Sequence, residues 1–194
     1  MSQNFSKLMT QLSALHREDP QQRVWKEKSL PYETLYAERM LYWTLQLCPQ
    51  ASEVLQLAVC AQHLQRWKLP RNSYPMDRKG YLLWREDLKK RHVADLAQLM
   101  ETEGYATEDT AKASELIRRK QVASDPEGQT LEDAACLTFL ELDFSELLAK
   151  TPADKMVEIL RKTWKKMSIQ GQAAALKLAL SAQELRLVER ALSS

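Results

Sequence analysis

Apolar residues recur every three or four positions along most of this chain, which is the spacing of amphipathic α-helices. The pattern predicts helices over Asn4–Arg17, over Pro31–Leu47, over a segment that Ser52 caps and that ends before Pro70, and over Gly80–Glu103. No segment shows strand-like alternation, and the 4 glycines and 7 prolines mostly lie between the periodic segments. The pattern therefore predicts an all-α protein.

The second half of the chain contains further helix-start signals. A threonine or serine before an apolar-periodic segment can cap a helix, and a proline suits the first turn. The predicted starts are Thr107, Thr130 (with acidic residues following, as in a capping box), Pro152, Ser168 and Ser181. Together the segments predict a compact bundle of about seven to nine helices.

Composition and charge narrow the class of protein. The chain is 44% hydrophobic and 28% charged, as in globular domains, and its net charge of +2 argues against a protein built mainly to bind nucleic acid. No apolar run reaches the roughly 18 residues of a membrane helix, so no membrane contact is expected. The amphipathic N-terminal segment lacks a signal-peptide core, and we therefore expect a cytoplasmic protein.

Four residues that can ligate metals each lie among apolar neighbours on a different predicted helix. They are Glu38, His63, His92 and Asp133. Burial of an ionisable group is costly unless a charge, hydrogen bonds or a metal compensates, so a shared site is one interpretation and four independent buried polar groups are the other. A mixed nitrogen and oxygen ligand set suits one divalent ion such as Zn, Mn, Fe or Co.

Cationic and aromatic residues surround the proline-containing loop at 69–77. Guanidinium groups bind phosphate in a bidentate manner, and aromatic rings can stack on a flat ligand, so this rim predicts binding of a small anionic, phosphorylated molecule. The alternative is that the arginines pair with acidic residues and brace the loop. The candidate substrate-binding residues are Arg66, Trp67, Arg71, Tyr74, Arg78, Arg85 and, on a separate apolar stripe, Lys120.

Three stretches resemble HD-domain metal phosphohydrolases. They are Ser52–Trp67 (SEVLQLAVCAQHLQRW), Arg91–Lys120 (RHVADLAQLMETEGYATEDTAKASELIRRK) and Leu131–Leu137 (LEDAACL). The length of 194 residues predicts a single domain over 1–194. The resemblance implies an HD-like core at about 31–150, with C-terminal helices at 152–192 packed on it. It also implies that the four candidate ligands hold one metal ion.

The chain departs from the HD pattern at three positions. Glu38 stands where that family has its first histidine, Leu64 replaces the aspartate of the histidine-aspartate pair, and Lys120 stands near a histidine of two-metal members. These departures favour a mononuclear centre, or a degenerate pocket without metal, over a dinuclear one.

The chain also closely resembles, nearly end to end, an uncharacterised helical family, domain of unknown function four-two-zero-two. The matching stretches are AQHLQRWKLPRNSYPMDRKGYLLWR, LEDAACLTFLE and KTWKKMS. This family brings no established activity.

The first functional hypothesis is a metal-dependent hydrolase that acts on a small phosphorylated or nucleotide-like substrate, with Glu132 as a candidate general base. The alternative is a degenerate, non-catalytic HD-like module that binds an anionic metabolite or a protein partner. An RNA-binding accessory protein and an HD-like iron oxygenase remain open.

Overall fold

Helices dominate the computed structural model, which describes residues 2–119 and 124–193. The α-helices are α1 (Gln3–Arg17), α2 (Tyr32–Leu47), α3 (Glu53–Cys60), α4 (Arg78–Thr102), α5 (Thr107–Arg118), α6 (Pro126–Thr138), α7 (Phe144–Ala149), α8 (Ala153–Lys166), α9 (Ile169–Ala175) and α10 (Ala182–Leu192). A π-helical turn at Phe139–Asp143 joins α6 to α7 without a break. If α6, the π-helical turn and α7 are counted as one continuous helix, the described part of the chain contains nine helices. The predicted compact all-α fold is confirmed.

A small β-hairpin between α1 and α2 was not predicted. Strands β1 (Gln22–Trp25) and β2 (Lys28–Pro31) pair antiparallel, and a two-residue turn joins them. The turn residues Lys26 and Glu27 have positive φ angles of 46° and 68°. Tight hairpin turns usually take glycine or asparagine there, so the sequence offered no hairpin signal, and reading this segment as a polar connection without a strand is wrong.

Three of the predicted helix starts are confirmed by side-chain hydrogen bonds. Each serine cap accepts a hydrogen bond from a backbone N–H in the first turn, which satisfies a donor that the helix leaves unpaired. Ser52 caps α3, Ser168 caps α9, and Ser181 forms a complete capping box with Glu184 at the start of α10.

Two predicted helices differ from the structure by more than two residues at one end. The helix that Ser52 caps ends at Cys60 and continues as 3-10 turns, well before Pro70. The helix predicted to start at Thr130 begins at Pro126, and Asp125 is its N-cap. Proline suits the first helical position, so this earlier start has a clear physical reason, and the capping-box interpretation at Thr130 is wrong.

Two clusters of buried apolar side chains form the core. The first is built mainly by α1 to α5 and includes Leu35, Leu57 and Leu96; the second is built mainly by α8 and α10 with the end of α6, and includes Leu160 and Val188. Helix α6 contributes to both clusters.

No described helix is long and apolar enough to cross a membrane.

Candidate functional site

A large open cleft of about 1350 Å³ is lined by elements from both core clusters. The N-terminal half of α4 and the loop before it line one side, and α8 lines another. The floor comes from α2, from the 3-10 turn Ala61–His63 and from α6. The cleft exceeds the roughly 300–1,000 Å³ of most small-molecule sites.

Arg66 lines this cleft and contacts residues from several of its elements. Gln65, in the left-handed region with φ of 50°, turns the chain so that the Arg66 side chain folds back over the preceding 3-10 turn. The Arg66 Nη1 donates to His63 Nε2 at 3.1 Å, and the guanidinium lies 4.9 Å from the Trp84 ring centroid. Among the described residues, no carboxylate oxygen lies within 4.0 Å of this guanidinium. The Arg66 guanidinium is therefore contacted by the neutral His63 ring and by the face of the Trp84 ring.

Glu33 is a carboxyl group of the cleft floor whose pKa is affected by the Arg66 charge. Its side chain is only 3% exposed, and its Oε2 lies 3.8 Å from His63 Nδ1 and has no hydrogen-bond partner. Burial raises the pKa of Glu33 to about 9, although the Arg66 charge opposes this. Glu33 is therefore protonated and uncharged at neutral pH.

All three histidines of the chain lie near one another at this site. The His63 ring stacks on the Tyr36 ring with centroids 3.5 Å apart, and His16 and His92 are buried. Burial lowers the pKa of His16 to about 4 and that of His92 to about 3, and burial with the Arg66 charge holds the pKa of His63 well below its ordinary range. The histidines are thus neutral at pH 7 and do not add to the charge.

Glu33, in the cleft lining, and His16, near His63 and His92, were not among the predicted site residues. One signal for His16 was present, because it continues the buried stripe of Leu8 and Leu12 on α1 at four-residue spacing. Glu33 gave no comparable signal, since it lies in the first turn of α2, where an acidic residue is ordinary.

The four residues predicted to hold a metal do not form one ligand set. Glu38 is exposed on α2, so the expectation that it is buried is wrong. Asp133 is buried, but its Oδ1 accepts from the Ser168 backbone N–H at 2.8 Å and from Gln129 Nε2 at 3.0 Å. Only His63 and His92 line the cleft.

Within residues 2–119 and 124–193, no group of three His, Cys, Asp or Glu side chains could hold a metal ion. Asp133 instead fixes the start of α9, since it binds both the backbone and the hydroxyl of Ser168. The residues present therefore do not fit the mononuclear centre that the HD resemblance implied.

Glu132, the predicted general base, is buried and already paired. Its carboxylate oxygens lie 3.0 Å from Arg119 Nη1 and 3.2 Å from Lys166 Nζ. Burial acts to raise the pKa of Glu132, but the two cations outweigh it and hold the pKa below its ordinary value. Arg119 also donates to Gln62 Oε1, so this group connects α6 to the 3-10 turn of the cleft floor. The contacts indicate a structural ion pair.

Five of the predicted substrate-binding residues line the same cleft: Arg66, Trp67, Arg71, Arg78 and Arg85. Arg71 braces its loop, because it donates to the backbone carbonyls of Tyr74, Pro75 and Asp77. Tyr74 lies outside the cleft lining, and its hydroxyl donates to Asp87 at 2.9 Å. Lys120 lies outside the described residues.

Cationic side chains outnumber carboxylates along the cleft. Its lining includes eleven lysines and arginines but only five aspartates and glutamates. The paired cations are Arg23 with Asp143 and Glu146, Arg119 and Lys166 with Glu132, Lys150 with Glu146, and Lys89 with Glu86. The other six have no carboxylate oxygen within 4.0 Å among the described residues: Arg66, Arg71, Arg78, Arg85, Lys155 and Lys162.

Neither a curated protein nor a solved structure matches the chain. A family model described as "Domain of unknown function (DUF4202)" matches residues 6–188. Since that match covers nearly all of the sequence, the chain belongs to the DUF4202 family.

Proposed function

We propose that the protein binds a small phosphorylated molecule in this cleft, with Arg66 as the central contact. The proposal rests on the observation that Arg66 has no carboxylate oxygen within 4.0 Å among the described residues. Burial raises the pKa of Glu33 to about 9, so that Glu33 is uncharged at pH 7 and does not balance Arg66. A guanidinium presents a planar fork of donors that matches phosphate oxygens. A phosphate here would meet a guanidinium that has no carboxylate oxygen within 4.0 Å among the described residues.

The surroundings of Arg66 support this proposal. Its guanidinium lies over the Trp84 ring, whose own indole N–H donates to the Leu69 carbonyl at 2.8 Å. The Trp84 ring is therefore fixed, and it holds the guanidinium in one orientation. A pre-oriented cation loses less conformational freedom when it binds an anion, so more of the contact energy contributes to affinity.

We favour binding over metal-dependent hydrolysis as the first function, because the candidate metal ligands do not surround a common position. The HD-like phosphohydrolase activity, the metal and the cytoplasmic location stay predictions from the sequence. Elemental analysis after metal reconstitution tests this preference. About one ion per chain, lost in the His63→Ala variant without unfolding, would support the hydrolase instead.

Isothermal titration with inorganic phosphate tests the binding proposal. In the Arg66→Gln variant we expect phosphate affinity to fall about 10- to 150-fold, because a hydrogen bond to a charged group contributes about 1.5–3 kcal/mol. Arg186→Gln is the matched control, since Arg186 is exposed on α10, is absent from the cleft lining and gives the same change in net charge. Equal affinity in both variants, or no phosphate binding by the wild type, would overturn the proposal.

A further inference from the structure

We infer that the natural occupant of the cleft carries at least two separated phosphoryl groups, and that Lys155 and Lys162 on α8 bind the second one. This inference rests on the proposed function, in which Arg66 binds the first. It adds a second binding subsite on the α8 side of the cleft.

Helix α8 presents lysines, and no acidic residues, to the cleft. Lys155 and Lys162 lie seven residues apart, which is two helical turns, and both line the cleft. The acidic residues of α8, Asp154 and Glu158, do not line it. Asp154 pairs instead with Arg190 on α10. The cleft-facing side of this helix therefore presents lysines without acidic neighbours.

Both lysines could have been neutralised within their own helix. Glu158 lies three residues after Lys155 and four before Lys162, and ion pairs form on helices at these spacings. Neither pair forms, and no carboxylate oxygen of the described residues lies within 4.0 Å of either ammonium. By contrast, Lys166 on the same helix is paired with the buried Glu132. Lys155 and Lys162 are therefore left available for a ligand.

The α4 side of the cleft has a matching pair of cations. Arg78 and Arg85 are also seven residues apart, line the cleft, and have no carboxylate partner among the described residues. Seven residues of helix span roughly 10 Å, whereas phosphate oxygens bind their donors at about 3 Å. A ligand with several phosphoryl groups therefore matches this spread of cations along both sides of the cleft better than a single phosphate does.

Separate core clusters support the two sides of this cleft. Val93 and Leu96 anchor α4 in the first cluster, and Met156 and Leu160 anchor α8 in the second. Cations without a carboxylate partner among the described residues therefore lie on both sides of the cleft. A ligand with phosphoryl groups at both sides would contact both sets, whereas a single phosphate at Arg66 would not.

Isothermal titration with inorganic phosphate and with linear tripolyphosphate tests the inference. We expect the wild type to bind tripolyphosphate at least tenfold more tightly than phosphate. In the Lys155→Gln/Lys162→Gln variant we expect most of that advantage to disappear, while phosphate affinity stays within about twofold of the wild type because Arg66 is intact. Thermal unfolding checks that each variant is folded.

The control variant is Lys165→Gln/Lys177→Gln, which removes the same charge from exposed lysines that do not line the cleft. It should keep the preference for tripolyphosphate. If the wild type binds phosphate through Arg66 but shows no such preference, or if both double variants keep it equally, the second subsite is refuted and the proposed function stands. If the wild type binds neither ligand, the proposed function fails and the second subsite fails with it.

Discussion

Replacement of Glu33 by glutamine should stabilise the protein at alkaline pH much more than at acidic pH. Burial raises the pKa of Glu33 from 4.5 to about 9. A group whose pKa is raised in the folded state contributes stability that is fully present below its unfolded pKa and is lost as pH rises toward the folded value. The wild type should therefore lose stability between about pH 4.5 and pH 9, and a glutamine, which does not titrate, removes this loss.

The size of the effect follows from the shift in pKa. Each pH unit between the two pKa values costs about 1.4 kcal/mol, so the interval from pH 5 to pH 8 corresponds to about 4 kcal/mol. The buried histidines act in the opposite direction: the lowered pKa values of His16 and His92 remove stability as pH falls below 6.5. That contribution is common to both proteins and cancels in the difference between variant and wild type.

Urea unfolding at pH 5, 6.5 and 8 measures this difference. Glu158→Gln is the control, because Glu158 is exposed on α8 without an ion pair among the described residues, and its effect should vary little with pH. A Glu33→Gln effect that is the same at pH 5 and pH 8 would refute the reasoning. It would mean that Glu33 is ionised in the folded protein and compensates Arg66, which would also weaken the case for anion binding.

Two further substitutions test structural assignments by chemical unfolding. Asp133→Asn should lower the free energy of unfolding by about 1–3 kcal/mol, because the Asp133 carboxylate accepts hydrogen bonds from Ser168 at the start of α9. An unchanged free energy of unfolding would contradict that capping role. Gly80→Ala should cost about 1–3 kcal/mol, because an added Cβ would lie 2.1 Å from the Pro75 carbonyl oxygen and force the loop away from α4; wild-type stability would show that the loop yields freely.

Helix periodicity was sufficient to predict the fold class because most of the chain packs through regular amphipathic helices. Helix periodicity missed segments whose backbone geometry is not indicated by their residue types. The hairpin turn at Lys26 and Glu27 and the left-handed Gln65 are non-glycine residues with positive φ, so no glycine or asparagine marks them. Tertiary packing stabilises these conformations, and a single sequence does not show it.

The candidate site was predicted in part, because an apolar neighbourhood in sequence is not the same as burial. Asp133 and His92 are buried as expected, but Glu38 is exposed, since its neighbours Leu41 and Leu45 are themselves only half-buried. Burial of several predicted ligands also does not imply that their side chains lie at one position. Asp133 binds Ser168, which is 35 residues away in the sequence, and that partner could not be identified from spacing.

In the proposed anion site, the neutral state or pairing of neighbouring carboxyl groups matters more than the number of cations. The cleft floor contains titratable groups that could have balanced Arg66, yet Glu33 is held protonated and Glu132 is already paired with Arg119 and Lys166. Because burial disfavours an ionised carboxyl more strongly than a hydrogen-bonded guanidinium at the cleft surface, the same desolvation that neutralises Glu33 leaves the Arg66 charge exposed to a ligand. Burial of the cleft floor thus accounts both for the neutral Glu33 and for the absence of a carboxylate partner at Arg66 among the described residues.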